Sequence, residues 1–201
     1  MTTNDAHARP AGAPADELLY DPAVPTLTHA ERARTLAGAL GIGTLCTLAR
    51  EPAGFPYGSF VTFALDEGDV VLLVSEMAEH TKNLRADDRA SLLVAESSKD
   101  DPLANARVTL LGRCRNVGAG DLEDRERAKR AFLATHPQSS YYVDYKDFSF
   151  WRLVVDSARY IGGYGRMSWV TGAEWSSATP DPIAPTTEAR NICPGWNPIC
   201  R

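Results

Sequence analysis

Hydroxyl, imidazole, ammonium and amide side chains are concentrated in residues 75–84, which read SEMAEHTKNL. The segment follows the apolar run 70–74 and continues into a helical pattern, so it predicts the passage from a buried strand into a helix. Backbone N–H groups are free at a helix start and the helix dipole points the same way, which is typical of a phosphate or carboxylate site. The same side chains are also typical of a solvated helix face, and this segment alone leaves both interpretations open.

A second candidate is Arg166, which ends the glycine-rich stretch 162–166, GGYGR. A guanidinium group can bind a carboxylate or a phosphate through two parallel hydrogen bonds. The alternative interpretation is a structural turn. The spacing supports no Ser-His-Asp or Cys-His arrangement and no GxGxxG motif between a strand and a helix, so catalytic residues stay unassigned. Tyr164 and His80 are the nearest candidates for proton transfer.

The elements that must position these groups are mainly strands. Runs rich in β-branched, aromatic and apolar residues predict strands at 44–48, 57–65, 70–75, 90–96, 107–117, 148–155 and 159–161. Three helices are predicted: one that follows the capping-box pattern Thr28-x-x-Glu31 and ends at Gly41, one at 79–86, and one at 122–135 with Asp121 as N-cap. The short turn at 66–69 makes its two strands antiparallel. We therefore predict an α+β fold, mainly antiparallel β, in which a barrel carries helices on its outside.

The composition of the 201-residue chain excludes several classes of protein. Its net charge of −5 has the wrong sign for a nucleic-acid binder that relies on phosphate neutralisation. No apolar stretch approaches the length of a membrane helix, and the amino terminus lacks a secretory signal, so we expect a cytoplasmic protein without a membrane partner. The four cysteines do not form a disulfide framework, and Cys46 and Cys114 are expected as reduced thiols within strands.

The chain divides into three predicted parts. Residues 1–27 form an extended arm rich in Pro and Ala, residues 28–175 form the barrel domain, and residues 176–201 form a flexible tail. The tail ends in a compact peptide with Cys193, Trp196 and Cys200. Two thiolates without a third ligand make an incomplete zinc site, so no metal site is predicted.

Several segments occur in the order found in a known family. They are GFPYGSFVTFA at 54–64, SEMAEHTKNL at 75–84, ASLLV at 90–94, DPL at 101–103, RVTL at 107–110, DF at 147–148 and GGYGR at 162–166. Together, over residues 28–172, they resemble the pyridoxamine-phosphate-oxidase-like split barrels, specifically the haem-utilisation (HugZ-like) branch.

The resemblance implies a six-stranded split barrel that pairs as a homodimer and holds FMN at the subunit interface. It implies that the flavin ring lies along β-strand residues Ser59, Val61 and Thr62. It further implies phosphate contacts from the strand-to-helix segment, namely Ser75, His80, Thr81, Lys82 and Asn83. Arg166 is similar to the arginine that approaches a haem carboxylate in the haem-handling branch.

The sequence differs from the family pattern at several positions, and these differences exclude some of the activities that the resemblance implies. The pyridoxamine-phosphate oxidases carry an arginine where this chain has Ser59, a lysine near His80, and a closing Arg-x-His motif that is missing here, so that oxidation is not expected. The haem-utilisation proteins usually carry a further C-terminal module that supplies an iron-binding histidine in some members. Its absence counts against haem ligation.

Three functional hypotheses follow. The leading one is an FMN-dependent oxidoreductase that acts on a small conjugated substrate. The first alternative is a haem-binding or haem-degrading protein. The second is a non-enzymatic carrier or precursor whose peptide from Cys193 to Cys200 is the functional element, the target of a tail-modifying enzyme.

Overall fold

In the part of the chain that the structure describes, seven antiparallel strands form one sheet, and six of them close into a barrel. The computed structural model describes residues 26–97, 100–118, 121–163 and 165–182. The strands are β1 Ile42–Leu48, β2 Pro56–Asp66, β3 Asp69–Ser75, β4 Arg89–Ala95, β5 Arg107–Asn116, β6 Phe148–Ile161 and β7 Met167–Thr171. Their order is β3-β2-β1-β4-β5-β6-β7, and an additional β3–β6 pairing closes the first six. The predicted fold class, an α+β protein built on a six-stranded barrel, is confirmed.

Within the described ranges, four α-helices flank the barrel. They are α1 His29–Leu40, α2 Glu79–Ala86, α3 Leu122–Thr135 and α4 Gly172–Ser177, with short 3-10 turns at Pro102–Ala104 and Pro137–Tyr141. The three predicted helices are confirmed, together with the capping box at Thr28 and the N-cap at Asp121. Helix α1 ends at Gly41, whose φ of 63° is the left-handed conformation that glycine adopts at low cost. Helix α4 was not predicted, although Thr171 and Glu174 form a second capping box.

The prediction of two separate strands at 148–155 and 159–161 is wrong, because β6 is one continuous strand of 14 residues. A bulge accommodates the polar stretch between them: Leu111 pairs with Ser157 while Gly112 pairs with Val155. At this point a Cβ atom on Gly112 would overlap the Val154 carbonyl oxygen, so only glycine fits. The first half of β6 pairs with β3 and the second half with β7, a strand that the sequence analysis missed.

Two apolar clusters hold these elements together. The barrel interior contains side chains that are completely buried, among them Leu45, Phe63, Leu72, Leu92, Leu110 and Leu153. A smaller cluster lies under α3, where Phe132 packs edge-on against Phe150 at a ring-centre distance of 6.0 Å. Residues 70–74 contribute to both clusters, which explains why this strand is apolar without alternation.

The thiols in the barrel agree with the sequence analysis. Cys46 and Cys114 are both unpaired. Burial raises the pKa of the Cys114 thiol to about 12, with a smaller contribution from Asp88. No helix within the described residues is long and apolar enough to cross a membrane. Tyr164, Cys193 and Cys200 lie outside the described residues, so the hypotheses that involve them stay predictions.

Candidate functional site

The junction between β3 and α2 has the predicted strand-to-helix form. Ser75 is the last residue of β3, and its carbonyl oxygen accepts hydrogen bonds from the Ala78 backbone N–H at 3.1 Å and from Thr81 Oγ1 at 2.7 Å. The Met77 backbone N–H donates to Ser75 Oγ at 3.2 Å. The N-cap residue Ala78 offers no side-chain hydrogen bond, so the junction is held by Ser75 and Thr81.

Two of the predicted phosphate residues, Thr81 and Asn83, are completely buried. Thr81 holds α2 to the end of β3, and Asn83 holds it to β1. Asn83 donates through Nδ2 to Thr47 Oγ1 at 3.1 Å and accepts through Oδ1 from the Arg50 backbone N–H at 3.2 Å. Both amide atoms of Asn83 are therefore engaged within the protein. An anion at this junction would be bound by backbone N–H groups and by the more exposed side chains.

Of the five predicted phosphate residues, His80 and Lys82 remain, and their side chains differ in charge. Burial lowers the pKa of His80, which favours the neutral imidazole, and its Nε2 atom is buried without a partner among the described residues. Lys82 Nζ lies 3.2 Å from Glu79 Oε2, and Arg50 also approaches that carboxylate, at 4.0 Å. Glu79 therefore neutralises part of the positive charge beside the junction.

The predicted flavin-ring residues on β2 do not share one face. Thr62 pairs with Ile42, whose side chain is exposed, whereas Val61 pairs with Gly43 and is buried. Because side chains alternate along a strand, Ser59 and Val61 point to the side of the barrel interior and Thr62 points outward.

Arg166 lies at a different end of the barrel. Ser75 pairs with Phe148, the first residue of β6, whereas Arg166 follows Ile161, the last residue of β6. In the β6–β7 turn the Gly162 N–H donates to the Arg166 carbonyl oxygen at 2.7 Å. The Arg166 side chain is exposed. Within one chain, Arg166 and the phosphate segment are therefore separate sites.

The outer face of the sheet carries a row of partly apolar residues that the sequence analysis missed. In the register of six neighbouring strands, the row runs Phe60, Thr44, Leu93, Thr109, Arg159 and Trp169. Phe60 is 75% exposed and Trp169 is 62% exposed. Alternation along the strands could have suggested an outward Phe60, but only the strand order places these residues in one row.

A cavity of about 520 Å³ lies beside the end of this row, between α1, β7 and α4. Its lining includes His29, Glu31, Ser168, Trp169 and Glu174. The Cζ atom of Arg159 lies 5.4 Å from the ring centre of Trp169. This cavity also escaped the sequence analysis, because β7 and α4 were not predicted.

A second cavity, of about 540 Å³, borders the β3–α2 junction. Trp151 Nε1 donates to Ser149 Oγ at 3.1 Å, and Ser149 Oγ donates to Glu76 Oε1 at 2.7 Å. Glu76 also forms an ion pair with Arg85. Of the segment 75–84, only Glu76 lines this cavity.

Comparison with known proteins identifies the family. The model of the CREG β-barrel family matches residues 25–177, which is most of the chain and the whole of the barrel. The chain belongs to the CREG β-barrel family. The predicted resemblance to split barrels of haem utilisation is consistent with this family and with the solved neighbours of the chain.

Two proteins that are similar to this chain have names that refer to haem. The chain is 36% identical over 163 residues to the chloroplastic non-canonical heme oxygenase HOZ of Arabidopsis thaliana, and the match covers 79% of this chain and 49% of that protein. It is 45% identical to a heme binding protein from Mycobacterium smegmatis, with a TM-score of 0.73, over 80% of this chain and 64% of the other. The chain therefore spans about half of the first relative and under two thirds of the second.

A more distant structure shows the fold alone. HutZ, a heme storage protein from Vibrio cholerae, has 19% identity and a TM-score of 0.50, over 56% of this chain and 80% of that chain.

Proposed function

We propose that this protein binds haem, and that haem rather than FMN is its principal ligand. The observation that carries the proposal is the 45% identity, over 80% of this chain, to a protein named for binding haem. The 36% identity to a heme oxygenase supports the same ligand class. The FMN hypothesis, with its oxidoreductase activity on a small conjugated substrate, is the second candidate.

The described residues fit haem chemically. Haem requires an iron ligand, an aromatic or apolar surface for the porphyrin, and cations for its two carboxylates. The outer face offers the exposed ring of Trp169 beside the guanidinium of Arg159, and Arg166 stands exposed in the adjoining turn. When bound, haem supplies iron-centred redox chemistry, while the protein holds it, orients it and limits the access of water.

We also propose that two chains pair through the outer face of the sheet. Leu93 exposes apolar surface in the middle of the row on that face, Phe60 does so at one end, and Trp169 does so at the other end. A homodimer would remove this surface from water, which is favourable in proportion to the apolar area buried. The proposed pairing would bring the edge of each face close to the partner chain.

The direct test is an absorption titration of the purified full-length protein with haemin and, separately, with FMN. We expect a shifted and saturable Soret band that persists through gel filtration, and no retained flavin. Retained FMN bands with no haemin saturation would overturn the haem proposal and favour the flavin hypothesis. In that case Ser75, His80 and Lys82 would be the first residues to substitute.

A further inference from the structure

His29 is held at the border of the 520 Å³ cavity by a fixed backbone. It is the first residue of α1, directly after the N-cap residue Thr28. The Thr28 N–H donates to Glu31 Oε2 at 2.7 Å, and the Glu31 N–H donates to Thr28 Oγ1 at 3.2 Å. This reciprocal capping box fixes the start of the helix, so the position of the His29 backbone does not depend on a ligand.

The imidazole of His29 is available for a ligand. It is exposed and makes no hydrogen bond with another of the described residues; its nearest ring is Tyr160, at a ring-centre distance of 5.9 Å. The other histidines in the described ranges differ from it. His136 is buried and donates through Nε2 to the Phe63 carbonyl oxygen at 2.8 Å, and the Nε2 atom of His80 is enclosed by protein.

The walls of the cavity combine an aromatic ring with apolar side chains. Trp169 faces it from β7, and Ala30, Val170 and Ala178 contribute apolar surface. The two carboxylates in the lining, Glu31 and Glu174, are both engaged in capping boxes, each accepting hydrogen bonds from its own N-cap residue. These hydrogen bonds fix both side chains at the helix starts without cancelling their charge, so the carboxylates of an anionic ligand would have to point away from Glu31 and Glu174.

Positive charge lies on the flank of the cavity. Tyr160 of β6 pairs with Ser168 of β7, and Ser168 lines the cavity. Arg32 follows His29 by three residues on α1, so the two side chains lie on neighbouring positions of one helix face. Arg166 is exposed and directly precedes Met167, the first residue of β7. Guanidinium groups are suited to the carboxylates of a dianionic ligand such as haem.

From this arrangement we infer that His29 is the haem-iron ligand of this protein, with the porphyrin against Trp169 and its carboxylates toward Arg32 and Arg166. The inference rests on the proposed function and adds to it the residue that binds the metal. A neutral imidazole is among the commonest protein ligands of haem iron. Because the ring is supplied by α1, haem binding would be linked to the start of that helix.

The test compares haemin binding by the wild-type full-length protein with binding by His29→Ala and His29→Gln. We expect both variants to bind haemin about 10- to 100-fold more weakly and to lose the imidazole-ligated signature in absorption and electron paramagnetic resonance spectra. Added free imidazole should restore that signature in His29→Ala. Since His29 is exposed, thermal unfolding of both variants should match wild type.

His7→Ala is the matched control, because it removes a different imidazole from the same chain. It should keep the wild-type spectrum. Unchanged affinity and spectrum in the His29 variants, or loss of the signature in the control, would overturn the assignment to His29 while haem binding itself stands. A wild-type protein that fails to bind haemin would overturn the proposed function, and the inference with it.

Discussion

Arg152 of β6 donates through Nε to Oδ1 of Asp124 in α3 at 2.8 Å, and the Arg152 side chain is completely buried. Its Nη2 atom also donates to Asp66 Oδ2, at 2.6 Å. The pair therefore joins the first turn of α3 to the strand that closes the barrel. Burial opposes the charged form of Asp124, but the hydrogen bonds from Arg152 and Arg115 outweigh it, and the pKa of Asp124 is lowered.

Asp124→Ala should destabilise the protein strongly, because it leaves the buried charge of Arg152 with one carboxylate fewer. We expect a loss of about 3 kcal/mol in the free energy of unfolding, measured by urea denaturation. Arg113→Met is the control, because it breaks the exposed ion pair with Asp88, and should cost less than about 1 kcal/mol. Equal effects of the two substitutions would contradict a structural role for the buried pair.

His80 should make stability depend on pH near neutrality. Its pKa is lowered by burial in the folded protein, whereas in the unfolded chain it titrates at about 6.5. Between the two pKa values the unfolded state binds more protons. The free energy of unfolding therefore falls as the pH drops below about 6.5, and it levels off below the folded pKa.

His80→Asn removes this titration and should flatten that part of the curve. The measurement is the urea midpoint of both proteins between about pH 8 and about pH 5. Because His29 and His136 are present in both, their contribution cancels in the difference. Parallel curves for the two proteins would show that His80 makes no such contribution.

Phe60→Glu should convert the proposed homodimer into a monomer. The substitution places a charge at one end of the exposed row on the outer face, where the partner chain would have to desolvate it. Light scattering coupled to gel filtration measures the mass. Met77→Glu is a matched control, since Met77 is 77% exposed but lies outside the row. A monomeric wild-type protein, or the same mass for both variants, would refute pairing through this face.

Cys114 should be inert to thiol reagents until the barrel unfolds. It is buried, and its pKa of about 12 keeps it protonated at the pH of ordinary labelling reactions. The triple variant C46S/C193S/C200S leaves it as the single thiol of the chain. We expect no labelling of the native protein and one label per chain in denaturant. Rapid native labelling would mean that the barrel opens at this strand.

Much of the fold follows from local patterns. The helix starts at Thr28 and Asp121 carry side chains that cap a helix regardless of tertiary context, so sequence alone locates them. The sequence predicts two strands in place of β6, because Asp156 and Ser157 interrupt the apolar pattern. The structure accommodates these two residues in a bulge beside Gly112, and that bulge depends on pairing with β5. Pairing between distant strands is not encoded in a local window.

The site was less predictable for the same reason. The sequence pattern of residues 75–84 predicts a strand-to-helix junction. It does not indicate that the side chains of Thr81 and Asn83 form hydrogen bonds within the protein, which leaves them less available to a ligand. His29 and Trp169 are far apart in the chain, and only α1 and β7 bring them to one cavity. The residue types of His29 and Trp169 do not by themselves indicate that both side chains line the same cavity.

The closing contact between β3 and β6 has a kinetic consequence. Val70 pairs with Leu153, about 80 residues later in the chain, so a long loop must close before the contact stabilises anything. During synthesis β1 to β5 leave the ribosome before β6, and until then they can form only an open sheet with unpaired edges. The barrel can therefore enclose its apolar interior only after β6 has left the ribosome. A nascent chain that stalls before residue 148 is the form most exposed to aggregation.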